Sequence, residues 1–210
     1  YVEYNTNDPV EYVEYVLPYI NSYNGRKIIF APSAYKISSH NKMSELGIKN
    51  GYNVLVHNGI NKEFRFINGT KCSINEFSLT NSHEIKRYRK KNDKNSDIND
   101  TCTLYDILRY FCKKYKEDLL ITGNNTIGTG ITWNSVGFNF THNILSTYHM
   151  KDISTLEQFF GRSTGHVNYV GEIVQICPRI VRESCLKRIS NRQKILDERP
   201  EYIKPSTFNG

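Results

Sequence analysis

The feature that most constrains this chain is the alternation of short apolar runs with amphipathic stretches. Lys27-Ile28-Ile29-Phe30-Ala31, Asn53-Val54-Leu55-Val56-His57, Leu119-Leu120-Ile121-Thr122 and Asn143-Ile144-Leu145-Ser146-Thr147-Tyr148 are short and nearly continuous in apolar character. Runs of this kind read as strands buried on both faces. Ser38–Lys49, with Met43, Leu46 and Ile48, carries a single apolar stripe at helical spacing, and so does Thr103–Tyr115, with Leu104, Ile107, Leu108 and Phe111. Thr103 with Asp106 three residues on forms a capping-box pattern. Near the start, Asn7-Asp8-Pro9 opens a helix with Asp8 as cap, and Pro18 is expected to end or kink it. Further on, Asp152–Arg162 reads as a helix and Tyr169–Cys177 as a strand. Arg179–Arg199 reads as a basic helix with Ile180, Ile189, Ile195 and Leu196 inward. Strands alternating with helices specify an α/β fold, a parallel sheet with helices on both faces. Ligands of such a sheet belong at the carboxyl ends of its strands.

One stretch breaks the rhythm. From Ile60 to Thr101 the chain alternates over Glu63-Phe64-Arg65-Phe66-Ile67, turns at Asn68-Gly69, and returns over Lys71 to Ile74. That is a hairpin signal. It is followed by the basic run Lys86-Arg87-Tyr88-Arg89-Lys90-Lys91 and a polar tract over Asn92–Asp100. The reading is an inserted β-hairpin and basic loop, either a strand-tracking device or a solvated decoration. Arg87, Arg89 and Lys90 are its candidate nucleic-acid contacts.

At 210 residues the chain suits one domain with an appendage. Its formal net charge of +7 favours polyanionic partners. The cysteines, Cys72, Cys102, Cys112, Cys177 and Cys185, form no C-x-x-C pair, which argues against a zinc site and suits a reducing, intracellular compartment. No apolar run is long enough to span a membrane. Abundant Asn, Lys, Ile and Tyr point to an AT-rich genome, as in a virus or parasite.

Two motifs carry chemistry. Leu119–Thr122 runs into Gly123-Asn124-Asn125-Thr126-Ile127-Gly128-Thr129-Gly130-Ile131-Thr132, a strand feeding a loop of small residues whose backbone can approach a phosphate. Downstream, Thr155–Gly165 contains Gln158-Phe159-Phe160-Gly161-Arg162, in which Gln158 and Arg162 share a helix face. In this order the pair resembles motifs V and VI of the superfamily 2 helicases. Ile28–Ser33 looks like motif IV of the same family, and His57-Asn58-Gly59 like its strand that ends in a His-Gly loop.

The resemblance implies the second RecA-like lobe of a helicase motor. Arg162 is then the arginine finger, with Gln158, Gly161, Gly130 and Thr132 near ATP. Ser33, Asn58, Gly59, Asn125 and Thr126 lie along the nucleic acid. ATP and Mg2+ are held by a first lobe that precedes Tyr1 or sits on another chain, since no Walker A motif is present here and this chain alone should not hydrolyse ATP. No protein metal site is expected. Residues 1–24 form an N-terminal helix or inter-lobe linker, 25–178 the lobe with its insertion at 60–101, and 179–210 a basic helix and tail. The chain departs from the family at two points: Ser163-Thr164-Gly165-His166 follows Arg162 where a second arginine is usual, and Thr132 stands where motif V has an aspartate. The missing second arginine and the basic insertion support the alternative, a non-catalytic nucleic-acid-binding or adaptor domain with a degenerate helicase fold. A nucleotide-sugar or dinucleotide enzyme ranks last, because no G-x-G-x-x-G follows the first strand.

Overall fold

Alternation along each strand divides the core in two. In the computed structural model, which describes residues 2–92, 102–123, 138–164 and 173–198, β1 (Ile28–Phe30), β2 (Tyr52–His57), β5 (Asp118–Gly123), β6 (His142–Ile144) and β7 (Val174–Ile176) run parallel. Phe30, Leu55, Leu119 and Ile121 point to one face, and Ile29, Val54, Val56 and Leu120 to the other. Helices α1 (Pro9–Asn21) and α2 (Ile37–Lys49) cover the second face through Tyr12, Val16, Leu17, Met43 and Leu46. Helices α3 (Ile74–Thr80), α4 (Ser82–Asn92), α5 (Leu104–Lys114), α6 (Ile153–Thr164) and α7 (Arg179–Glu198) cover the first. The expected α/β architecture with helices on both faces is therefore present.

The sheet is mixed rather than wholly parallel. Its seven strands run in the order β4-β3-β2-β5-β1-β6-β7, with β3 (Lys62–Arg65) antiparallel to β2 and β4 (Lys71–Ser73) antiparallel to β3. The hairpin read as an insertion extends the sheet edge. Its turn closes at Gly69, whose φ of +85° only glycine adopts without strain, and Gly69 N–H donates to the Phe66 carbonyl at 2.9 Å. Phe64 is fully buried under Phe111, ring on ring at 4.3 Å, which welds the edge to α5.

The basic run is not a loop. It lies in α4, whose inward positions continue the stripe Phe77, Asn81, Ile85, Arg89. α1 is part of the core, with Asp8 capping it through Val10 N–H at 2.8 Å. It runs past Pro18 to Asn21, because Pro18 is exposed and the carbonyl it leaves without a helical partner lies toward water. α7 buries Val181 and Cys185, whereas Ile180 and Ile189 are exposed, contrary to the apolar stripe expected from sequence.

β1 continues through α2 to β2 on one side. β6 continues through α6 to β7 on the other side and on the opposite face. The neighbouring exits of β1 and β6 are thus a topological switch point, where an open α/β sheet leaves a crevice.

Candidate functional site

The crevice is built from three segments far apart in sequence: the lead-in to α1, the β1–α2 connection and the exit of β6. After β1 the backbone keeps its ladder to β5, with Ala31 N–H on the Ile121 carbonyl and Ser33 N–H on the Gly123 carbonyl, both at 2.9 Å. After β6 the chain tightens into a 3-10 turn over Thr147–Lys151. The expected strand to Tyr148 therefore ends early. Its cause is His149, whose Nδ1 accepts from Ser146 N–H at 3.1 Å while Nε2–H donates to the Pro32 carbonyl at 3.1 Å. Burial holds this imidazole neutral, with its pKa down to about 4. Thr147 Oγ1 donates to the Thr6 carbonyl at 2.8 Å and closes the third side.

A cavity of about 660 Å³ opens here, rimmed by Lys36, Ser38, Ser39, Lys42, Tyr148 and Lys151. The three lysines are exposed, and the Lys151 ammonium lies 4.7 Å over the Tyr148 ring. Lys36 occupies the cap position of α2 and supplies no side-chain cap. Asp8, on the opposite wall, is engaged at the start of α1. Cationic groups, hydroxyls and an uncapped helix start together suit an oxyanion such as a phosphate. His149, the imidazole that ties the walls, is too far below neutral pKa to shuttle protons there.

The residues named from sequence are distributed unevenly around this edge. Ser33 is fully buried, with its hydroxyl 3.5 Å from the Gly123 carbonyl, so its side chain is turned from solvent. Asn58 is also buried and closes the β2 exit on itself. Its Oδ1 accepts from Ile60 and Asn61 N–H at 2.9 and 2.6 Å, and its amide reaches His40 Nδ1 at 2.8 Å. Both side chains are engaged in these internal bonds, whereas Gly59 is exposed with open space at its α-carbon. Asn125, Thr126, Gly130 and Thr132 lie outside the described residues. Gly123, at the end of β5, opens their segment at the carboxyl edge between β2 and β1.

α6 starts beyond the β6 exit, with the Asp152 carboxylate accepting from Ser154 and Thr155 N–H at 3.0 and 3.3 Å. Leu156 and Phe159 are buried, and Gln158 is exposed. Gly161 and Arg162 belong to its last turn, on the order of 13 Å along the axis from its start. From there the chain crosses back to β7. In α4, Arg87 and Lys90 are exposed. Arg89 is buried and paired with Asp106 at 3.5 Å, which removes it from the solvent-facing set.

The crevice residues Lys36, Lys42, Tyr148, His149 and Lys151 were not singled out from sequence. Only the β1 exit carried a signal, and there it was read through Ser33. Among the described residues no group of three His, Cys, Asp or Glu side chains could hold a metal ion, and no helix is long and apolar enough to cross a membrane. No protein-family model, curated protein or solved structure matches the chain.

Proposed function

We propose that this chain is the second motor lobe of an ATP-dependent nucleic-acid helicase or translocase. The observation that carries the reading is the switch-point cavity of about 660 Å³ with Lys36, Lys42 and Lys151 on its rim. Its chemistry suits backbone phosphates, which position a nucleic acid without reading its sequence. It adjoins the β1 exit, the segment that resembles helicase motif IV. The resemblance of Gln158-Phe159-Phe160-Gly161-Arg162 to motif VI supports a finger role for Arg162 toward ATP on a first lobe that also holds Mg2+. An arginine contributed across such an interface stabilises charge on the transferring phosphoryl group. Closure of the two lobes on ATP and their opening after hydrolysis would step the protein along the strand.

The test is ATP turnover by the longest protein that contains this chain, with and without nucleic acid, for wild type and Arg162→Ala. The expected result is nucleic-acid stimulation that the variant loses by a factor of about 10³ or more while still binding ATP. An unchanged variant overturns the finger role. The second reading, a non-catalytic nucleic-acid-binding module, is favoured by the missing second arginine after Arg162. Binding of nucleic acid without any turnover selects it.

A further inference from the structure

α4 and α5 lie antiparallel. Lys114, at the end of α5, donates to Asn81 Oδ1 beside the start of α4 at 2.7 Å, and Arg89, near the end of α4, meets Asp106 in the first turn of α5. Between them is a cleft of about 350 Å³ lined by Arg87, Tyr88, Lys91, Tyr110, Lys113 and Lys114, with Glu84 as its one carboxylate. Over the ridge of α4 a second hollow of about 340 Å³ is lined by His83, Lys86, Arg87, Lys90 and Lys91. Arg87 and Lys91 belong to both, so the two hollows form a continuous basic track. The Lys113 ammonium lies 4.6 Å over the Tyr88 ring, fixing one cation at the cleft wall.

Two things make this track more than a solvated face. Lys86 and Lys90, like Arg87 and Lys91, are like charges four apart, an arrangement that weakens a helix unless an anion offsets it. Among the described residues no carboxylate forms an ion pair with Lys86, Arg87, Lys90, Lys91 or Lys113. The buried Arg89 anchors α4 by its pair with Asp106 and leaves the outward cations facing solvent.

We propose that the α4–α5 track binds the phosphodiester backbone of a nucleic-acid strand, with Arg87, Lys91 and Lys113 on successive phosphates. A protein partner fits it poorly. Protein interfaces are depleted of Lys, whereas Lys supplies five of the ten residues that line the two hollows. The inference stands on the charge geometry of two helices and does not rest on the motor reading, whose crevice is formed by other elements.

The experiment is fluorescence anisotropy of a labelled oligothymidylate with the full chain across a salt series. Wild type is compared with Arg87→Gln/Lys91→Gln/Lys113→Gln and, separately, with Lys36→Gln/Lys42→Gln/Lys151→Gln. The α4–α5 triple should weaken binding at least tenfold at low salt and reduce the slope of log K against log salt by about 2, from roughly 0.7 per lost phosphate contact. Lys91→Arg/Lys113→Arg should keep both. Unchanged affinity and slope overturn the track, and so does polyglutamate displacing the oligonucleotide from wild type at equal charge. An effect of the crevice triple alone overturns the track and leaves the motor reading standing, and no effect of either triple removes both. Ultraviolet crosslinking of a thiouridine oligonucleotide to unaltered protein gives a readout independent of variant folding. Crosslinks in 82–92 and 104–114 support the track, and crosslinks only elsewhere overturn it.

Discussion

His149 donates its Nε2–H to the carbonyl of Pro32 at 3.1 Å and thereby ties the exit of β6 to the exit of β1. The bond fixes the protonation state as well as the geometry. Nδ1 is already an acceptor from Ser146 N–H, so the neutral ring satisfies both partners and the imidazolium cannot.

Stability should therefore fall in mild acid. Burial lowers His149 to about 4 from its ordinary 6.5, and burial with the nearby Lys62 lowers His57 to about 4 as well. Between those values the unfolded chain takes up protons that the folded chain refuses. The contribution is whole above about pH 6.5 and is lost as pH drops toward 4, by up to about 1.4 kcal/mol per pH unit for each histidine. Urea unfolding at pH 7, 6 and 5 reads it as a falling midpoint. In His149→Gln, whose amide can still donate to Pro32, the pH slope should shrink by the share of one proton. An unchanged slope would show that His149 is not the neutral clasp described here.

Asp106 holds two structures at once. Its Oδ2 accepts from Thr103 N–H at 2.9 Å and from the Thr103 hydroxyl at 2.8 Å, and the same atom faces buried Arg89. Removing it takes the carboxylate from a buried guanidinium and the returning half of the capping box from α5, where Thr103 Oγ1 still accepts from the N–H of residue 106, so Asp106→Ala should cost about 3 kcal/mol by chemical denaturation. Most of that is the lost ion pair with Arg89. In an Arg89→Met background the same substitution should cost only about 1 kcal/mol, the value of the bonds that Asp106 returns to Thr103. Equal costs in both backgrounds would refute coupling between the two residues.

The same pair explains why α3 and α4 are hidden in the sequence. Their inward stripe is Ile74, Phe77, Asn81, Ile85 and Arg89, and two of these five are polar. Their burial is satisfied by Lys114 and Asp106, partners supplied by a helix that comes later in the chain. A local apolar period cannot report that. β1, β2 and α5 were legible because their apolar positions are unbroken, and the start of α1 because Asp8-Pro9 is a local signal. The candidate crevice was legible only as an edge of the sheet. Its lysines sit in segments that no single window joins, and the fold brings them together through strand order.

Gly47 marks the closest approach of α2 to the sheet. A β-carbon there would lie 2.7 Å from Val54 Cγ2, a short branched side chain with nowhere to swing. Alanine is the better helix former by up to about 1 kcal/mol, but overpacking a filled core costs about 1–3 kcal/mol. Gly47→Ala should therefore lower stability by about 1 kcal/mol. Paired with Val54→Ala it should cost less than the sum of the two single changes. Strict additivity in thermal or urea unfolding would show that the helix can shift to make room.

The crevice lysines should behave in the opposite way. Lys36, Lys42 and Lys151 are exposed, so changing all three to Gln should leave the unfolding free energy within about 0.5 kcal/mol per site. If they hold backbone phosphates, affinity for a single-stranded oligonucleotide must drop and the salt slope must shrink by about 2 units, since each contact releases a fixed share of condensed counterion. Tyr148→Leu separates charge from stacking. It removes the ring beneath Lys151 and the hydroxyl that accepts from Tyr35 N–H, but no cation. Affinity should then fall modestly while the salt slope stays at its wild-type value. A slope that follows Tyr148 rather than the lysines would mean that the crevice recognises a ring rather than a phosphate.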